Sequence, residues 1–289
     1  MRIRTLLVPV DGSEATTTAL DASMRVAHEL SAHVDALHVR TDAKSAVPLL
    51  GEGMSGAMIE EMIDLAEREA TARAERAYKS FEKLVETHKL PIVEQGPSPD
   101  GGSICWVDEA GREDEITAHR GRLADLTVVP RPTADSDLGL TMILNAAVFE
   151  SGGPVLVVPP NGMDTVAKRI AVFWNGSAEA ARAVATAMAF VERAEMVSVF
   201  TLGSDKTPAG VGEELKRFLG WHDVKAETRV LELETGRSPS QTLLEQAGTY
   251  GADLLVMGAY TRGRFRQLIL GGVTRHVLEH ATLPVLMTR

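Results

Sequence analysis

The sequence predicts an α/β protein of two halves, each a doubly wound parallel sheet with helices on both faces, and three observations predict it. Short apolar, β-branched runs alternate with longer amphipathic patterns, the order of a βαβ chain whose parallel strands need crossover connections. Leu6-Leu-Val-Pro-Val-Asp-Gly-Ser13 returns as Ile170-Ala-Val-Phe-Trp-Asn-Gly-Ser177. In the same order Ala124-Asp-Leu-Thr-Val-Val returns as Ala252-Asp-Leu-Leu-Val-Met, and Pro154-Val-Leu-Val-Val as Pro284-Val-Leu-Met-Thr, the mark of a tandem duplication. Between the halves, Pro159-Pro160-Asn161-Gly162 breaks every pattern and reads as a linker, so the expected domains are 1–160 and 165–289.

Taken in order, Leu6–Val10 is an apolar strand, and Asp11-Gly12-Ser13-Glu14 supplies a turn and a helix cap before a helix from Ala15 to about Leu30. Val34–Val39 reads as the second strand, and Thr41–Gly56, rich in glycine and small residues, as a loop. An Ala/Glu/Arg pattern predicts a long helix from Ala57 to about His88, ended by Leu90-Pro91. A strand is expected near Ile92–Glu94, a turn cluster over 96–102 and a short strand over Ser103–Asp108. A helix near Glu113–Arg122, a strand at Asp125–Val129, a helix near Leu140–Phe149 and a strand at Pro154–Val158 complete the first half.

Composition narrows the function. Within 289 residues, 44% hydrophobic and 24% charged residues describe a globular chain long enough for two cores. A net charge of -10 argues against nucleic acid, whose phosphates need a basic face. No run reaches the roughly 18 apolar residues of a membrane span. Cys105 is the single cysteine, which excludes an intrachain disulfide and a zinc site built on cysteines, and fits a reducing cytoplasm.

The stretch from Ala252 to Thr274 is where a ligand is expected. Leu254–Met257 suits a central strand, Gly258 ends it, and Gly271-Gly272 opens a helical pattern. Glycines there let a ligand approach the free N–H groups of a helix N-terminus, which favour an anion. Plain turn chemistry is the alternative, because neither G-x-x-x-x-G-K-[ST] nor G-x-G-x-x-G is present. In open α/β sheets ligands bind beyond the carboxyl ends of the strands, where the Asp11 and Asn175 turns and the Gly258 loop all fall.

Together, Val8-Pro9-Val10-Asp11-Gly12-Ser13 ahead of a helix, the Ala-Asp-Leu-Leu-Val-Met-Gly block, and Leu270-Gly271-Gly272-Val273-Thr274 ahead of Pro284-Val285-Leu286 resemble a universal stress protein of the tandem type. The resemblance implies a five-stranded α/β sandwich per domain, of the kind shared with adenine nucleotide alpha hydrolases. It also implies pairing through the last strand, hence a pseudo-dimer within one chain, with a homodimer as a further option. In some members it implies ATP with a magnesium or manganese ion, held by G-x2-G-x9-G-[S/T].

This chain departs from that pattern. Counted from Gly258, the second glycine is Thr261, Gly271 matches, and the Ser/Thr position is Gly272. If Thr261 must take positive φ it costs about 1–2 kcal/mol, and a lost hydroxyl bond to phosphate costs about 1.5–3 kcal/mol. Together these amount to roughly two to three decades of affinity. Thr274, or Arg262, Arg264 and Arg266, could compensate by direct phosphate contact. In the first half the equivalent of Gly258 is Pro130, which removes a donor, while Asp11 keeps the position the family uses near adenine and ribose.

The resemblance thus implies a non-enzymatic stress-response protein in the cytoplasm. Asn175, Gly176, Gly258, Thr261, Gly271, Gly272, Val273 and Thr274 would bind an adenine nucleotide in its second half. The alternatives are a nucleotide-free interaction module of the same fold, acting on protein partners the sequence does not name, and a slow ATPase or phosphotransferase. No catalytic set is visible, and no side-chain metal site is predicted. His276 and His280 share a helix face but lack a third ligand. Asp108, Glu109, Glu113, Asp114 and Glu115 read equally as paired carboxylates or as charges welcomed by a helix N-terminus. Cys105, Trp106, Trp174 and Trp221 read as packing residues.

Overall fold

A computed structural model describes residues 2–40, 56–96, 98–203, 210–233, 236–259 and 272–289. The first half runs β1 (Thr5–Pro9), α1 (Glu14–Leu30), β2 (His33–Arg40), α2 (Gly56–His88), β3 (Ser103–Ala110), α3 (Glu113–Gly121), β4 (Leu126–Pro130), α4 (Leu138–Glu150) and β5 (Val155–Val158). The second runs β6 (Arg169–Phe173), α5 (Ala178–Val191), β7 (Met196–Leu202), α6 (Val211–Gly220), β8 (Ala226–Leu231), α7 (Pro239–Tyr250), β9 (Leu254–Gly258), α8 (Gly272–His280) and β10 (Val285–Thr288).

The strands form one ten-stranded sheet ordered β3-β2-β1-β4-β5-β10-β9-β6-β7-β8. Each half is a five-stranded parallel sheet, and the halves meet where β5 and β10 pair antiparallel, with Val285 opposite Val157 and Leu286 opposite Leu156. The chain therefore makes, within itself, the last-strand pairing that the resemblance implied. One apolar layer packs α1, α2, α5 and α6 on one face of the sheet and runs through both halves. A second holds residues of α4, α7 and α8 on the other face.

The repeated Ala-Asp-Leu landmark has a structural cause. Asp125 Oδ2 accepts from the backbone N–H groups of Arg4 (2.8 Å) and Thr5 (3.1 Å). Asp253 does the same for Lys168 (2.9 Å) and Arg169 (2.8 Å). Each carboxylate thus ties the start of one strand to the start of its neighbour, at the amino ends of the strands and away from the ligand side.

Two expectations need correction. The strand near Ile92–Glu94 is a single bridge from Ile92 to Ile104, and β3 is the third strand of the first half. Pro91 and the turn after Glu94 confine it, and the Ile92 side chain is exposed. Trp221 is 84% exposed and does not pack, unlike Trp106, which lies against Phe81 and Tyr78, and Trp174, which donates to the Val211 carbonyl at 3.0 Å. The loop expected at Thr41–Gly56 lies outside the described residues apart from Gly56, the first residue of α2.

Candidate functional site

At the carboxyl end of β1 the Asp11-Gly12-Ser13 turn leads into α1. Ser13 caps the helix, its hydroxyl accepting from the Thr16 N–H at 3.3 Å. Asp11 Oδ1 accepts from the Ser13 N–H (2.8 Å) and the Thr16 hydroxyl (2.6 Å). Its other oxygen accepts from Arg73 of α2 at 3.1 Å, and the same guanidinium nitrogen donates to Glu113 at 3.0 Å. Burial pushes the Asp11 carboxyl up, but the Ser13 and Thr16 hydrogen bonds and the Arg73 cation outweigh it and hold the group below its ordinary value. Glu113 goes the other way. Burial pushes it up to about 7 against the pull of Arg73, and its Oε1 is buried with no partner.

Helix α2 closes this end of the first half. Gly12 has φ +82, and a Cβ there would lie 2.7 Å from the Ala77 N and 3.0 Å from the Arg76 Cβ. Behind it, His38 bonds the Val10 carbonyl at 2.8 Å and stacks on Trp106, which α2 covers with Tyr78 and Phe81. After Pro130, Arg131 leaves its own half and donates to the Glu279 carbonyl at 2.7 Å, capping the last turn of α8. At the Asp11 turn, where the resemblance placed a nucleoside contact, the carboxylate is engaged by its own turn and by Arg73.

The second half repeats the turn, and among the described residues it does not repeat the closure. Asn175 Oδ1 accepts from the Ser177 N–H at 3.0 Å, and Ser177 caps α5. Gly176 has φ +73, and its missing Cβ would meet Val211, the first residue of α6, at 3.0 Å. Val211 thus stands to Gly176 as Ala77 stands to Gly12, but α6 starts there, whereas α2 begins 21 residues before Ala77. Asn175 and Gly176 are exposed.

Gly258 ends β9 against the first turn of α5, where a Cβ would lie 2.5 Å from the Ala180 N and 2.7 Å from the Glu179 carbonyl carbon. The need for glycine there comes from helix packing. The fold thus brings Asn175, Gly176 and Gly258 together around the start of α5. Gly272 opens α8, exposed, and among the described residues nothing lies within 4 Å of where a Cβ would be. Val273 packs on the second core layer and Thr274 is buried. Thr261, Gly271, Arg262, Arg264 and Arg266 lie outside the described residues. Among the described residues, Asn175 and Gly272 are exposed, whereas Asp11 is engaged by Arg73 and Arg131 by the end of α8.

The remaining candidates resolve into packing and surface pairs. Of the acidic cluster, Asp108 pairs with Arg40, Glu109 with Arg120, and Asp114 and Glu115 with Arg112. No two of these carboxylates form a pair of their own among the described residues; the two that converge are Asp11 and Glu113, through Arg73. His276 and His280 stack at 4.0 Å. Cys105 is buried, and burial together with Asp35 pushes its thiol up to about 12, which removes it as a free nucleophile. Sequence reasoning missed Arg73. Its signal, a basic residue on the inward face of a helix that otherwise turns acidic residues outward, is too weak to find without the fold.

A family model described as the universal stress protein family matches residues 2–95 and 167–289. A universal stress protein of Mycolicibacterium smegmatis (strain ATCC 700084) is 25% identical over 301 residues, covering 98% of this chain and 96% of that protein. Among solved structures, a universal stress protein from Archaeoglobus fulgidus DSM 4304 superposes with a TM-score of 0.74 at 15% identity, covering 100% of this chain and 99% of that one. The cytoplasmic domain of a prokaryotic cation chloride cotransporter gives 0.50 at 12% identity, covering 100% and 96%. At such identities the two structures show the fold alone.

Proposed function

The chain belongs to the universal stress protein family, and from that premise we propose that it is a cytoplasmic regulatory protein that binds an adenine nucleotide in its second half and none in its first. Residues 1–160 and 165–289 are its two domains in this reading. The observation that carries it is the difference between two equivalent turns. Asp11 is clamped by Arg73 beneath α2, whereas the Asn175 side chain is exposed and bonded to the Ser177 backbone. The nucleotide acts as a signal and not a substrate: Asn175 faces the nucleoside, the N-terminus of α8 from Gly272 to Thr274 faces the phosphates, and magnesium or manganese accompanies them.

The test begins with the purified chain: identify by mass spectrometry any small molecule released on denaturation, then titrate magnesium ATP by calorimetry. One nucleotide per chain is expected, with background turnover. Gly272→Ser should bind tighter by roughly ten- to a hundred-fold, because the new side chain meets none of the described residues and its hydroxyl adds a bond to a charged phosphate, about 1.5–3 kcal/mol. No binding at millimolar ATP by either protein would sink this reading.

A second reading, a nucleotide-free interaction module, is favoured by α2, whose Met62 and Leu65 are exposed one turn apart. It predicts that truncating both to alanine abolishes partner capture and leaves ATP binding absent throughout.

A further inference from the structure

At the outer edge of the first half, away from both turns, three groups of metal-binding chemistry converge. His33 and Asp35 lie two apart on β2 and so share a face of the sheet. Cys105 on the edge strand β3 stands directly opposite Asp35. His33 Nε2 is 3.2 Å from Asp35 Oδ1, Cys105 Sγ is 3.2 Å from the same oxygen, and one ligand atom from each lies within 4.8 Å of the others.

The hydrogen-bond network assigns the ring tautomer. The Ser103 hydroxyl donates to Ser98 Oγ at 2.9 Å, and the Ser98 hydroxyl donates in turn to the Ala32 carbonyl at 3.3 Å. Ser103 has therefore spent its one proton, and its 2.8 Å contact with His33 Nδ1 requires the imidazole to donate. In the neutral ring Nε2 then carries a lone pair aimed at a carboxylate oxygen. Two acceptors at 3.2 Å repel, so the contact needs either a second ring proton, as in an imidazolium–carboxylate pair, or a metal ion between the two atoms. The serine that orients the ring from behind is the second contact that metal-binding histidines use.

We propose that His33, Asp35 and Cys105 form a binding site for a borderline-soft divalent cation of the zinc type. Ligand atoms about 3.3–3.6 Å apart are what a tetrahedral zinc with its usual bond lengths requires; both contacts to Asp35 are near that spacing, and the His33 and Cys105 atoms, within 4.8 Å of each other, draw together to complete the site. The nitrogen, oxygen and sulfur set selects zinc over magnesium or calcium, which take oxygen. On coordination the thiol releases its proton to solvent, the thiolate binds the metal, and water takes the fourth position through the opening beside Asp35, whose side chain is 35% exposed. Arg120, a cation whose charge acts on Asp35 and Cys105, is engaged by Glu109. The sequence-based exclusion of zinc holds for sites built on several cysteines; this set needs one.

The experiment is a cobalt titration of the metal-free full-length chain, followed by absorption spectroscopy. A thiolate-to-cobalt charge-transfer band is expected, with the visible bands of a four-coordinate ion, both displaced by zinc. Because Cys105 is the only cysteine, that band reports this site whatever the other histidines bind. Cys105→Ser should abolish the band and His33→Gln should weaken binding, with circular dichroism of each metal-free variant confirming that it is folded. Ser103→Ala should weaken binding by roughly ten- to a hundred-fold while leaving the band's position unchanged. Absence of the band at millimolar cobalt, or its survival in Cys105→Ser, would overturn the proposal.

Discussion

Replacing Glu113 by glutamine should make the protein more stable above pH 7. The native carboxyl holds its proton until about pH 7, whereas in the unfolded chain it titrates near its ordinary 4.5. Between those values the native state binds more protons than the unfolded state, so the contribution of Glu113 is full below about pH 4.5. It declines as pH rises through the window and is gone above about 7. A difference of about 2.5 units at about 1.4 kcal/mol each amounts to about 3 kcal/mol. The value already includes the pull of Arg73, and it applies because the Glu113 side chain is 13% exposed. Glutamine keeps an oxygen for the Arg73 donor and carries no charge to desolvate. Urea denaturation at pH 5, 6.5 and 8 should give wild type and Glu113→Gln stabilities within about 1 kcal/mol of each other at pH 5. A gap of about 3 kcal/mol in favour of the variant should open by pH 8, at unchanged m-value. Asp11, held low, adds stability above about pH 4 and loses it below, outside this window. Parallel pH curves, or a variant less stable at pH 8, would show that the carboxylate is already well solvated or fully compensated by Arg73, and the reasoning would fail.

Two further substitutions test the packing around the sites. Gly258→Ala places a Cβ 2.5 Å from the Ala180 N, so α5 must shift, and a loss of about 1–3 kcal/mol or more is expected in urea denaturation; a neutral result would mean that the approach of α5 is loose. Arg131→Ala removes the cap on the Glu279 carbonyl and should cost about 1–2 kcal/mol, with faster amide exchange in the last turn of α8. Unchanged exchange would assign the cap no role.

The strands and helices were legible where burial is two-sided or a cap is explicit. Leu6–Val10 and Leu254–Met257 are apolar runs that suit a central strand, Asp125–Val129 is largely so after its first residue, and Ser13 and Ser177 announce the helices they cap. Ile92–Glu94 misled because two β-branched residues, Ile92 and Val93, beside a proline mimic a strand that pairs only through a single bridge. The candidate site was legible only in its local parts, the two Asp/Asn-Gly-Ser turns and the Gly258 stop. What distinguishes the first half is long-range: Arg73 reaches Asp11 across 62 positions, and Cys105 reaches Asp35 across 70. No periodicity in the chain encodes those meetings. Glu113 shows the same limit, since its neighbours in sequence are surface charges and its own carboxyl is buried.

The antiparallel seam between β5 and β10 carries a freedom that two separate copies would lack. In a symmetric dimer every substitution is made twice, so a residue that spoils one site spoils both, and a residue reaching across the seam must be accepted from either side. Joined in one chain, the halves escape that doubling. Arg131 reaches across once, from the half that has Pro130 to the half that keeps Gly258, so each copy can change without its twin changing in step.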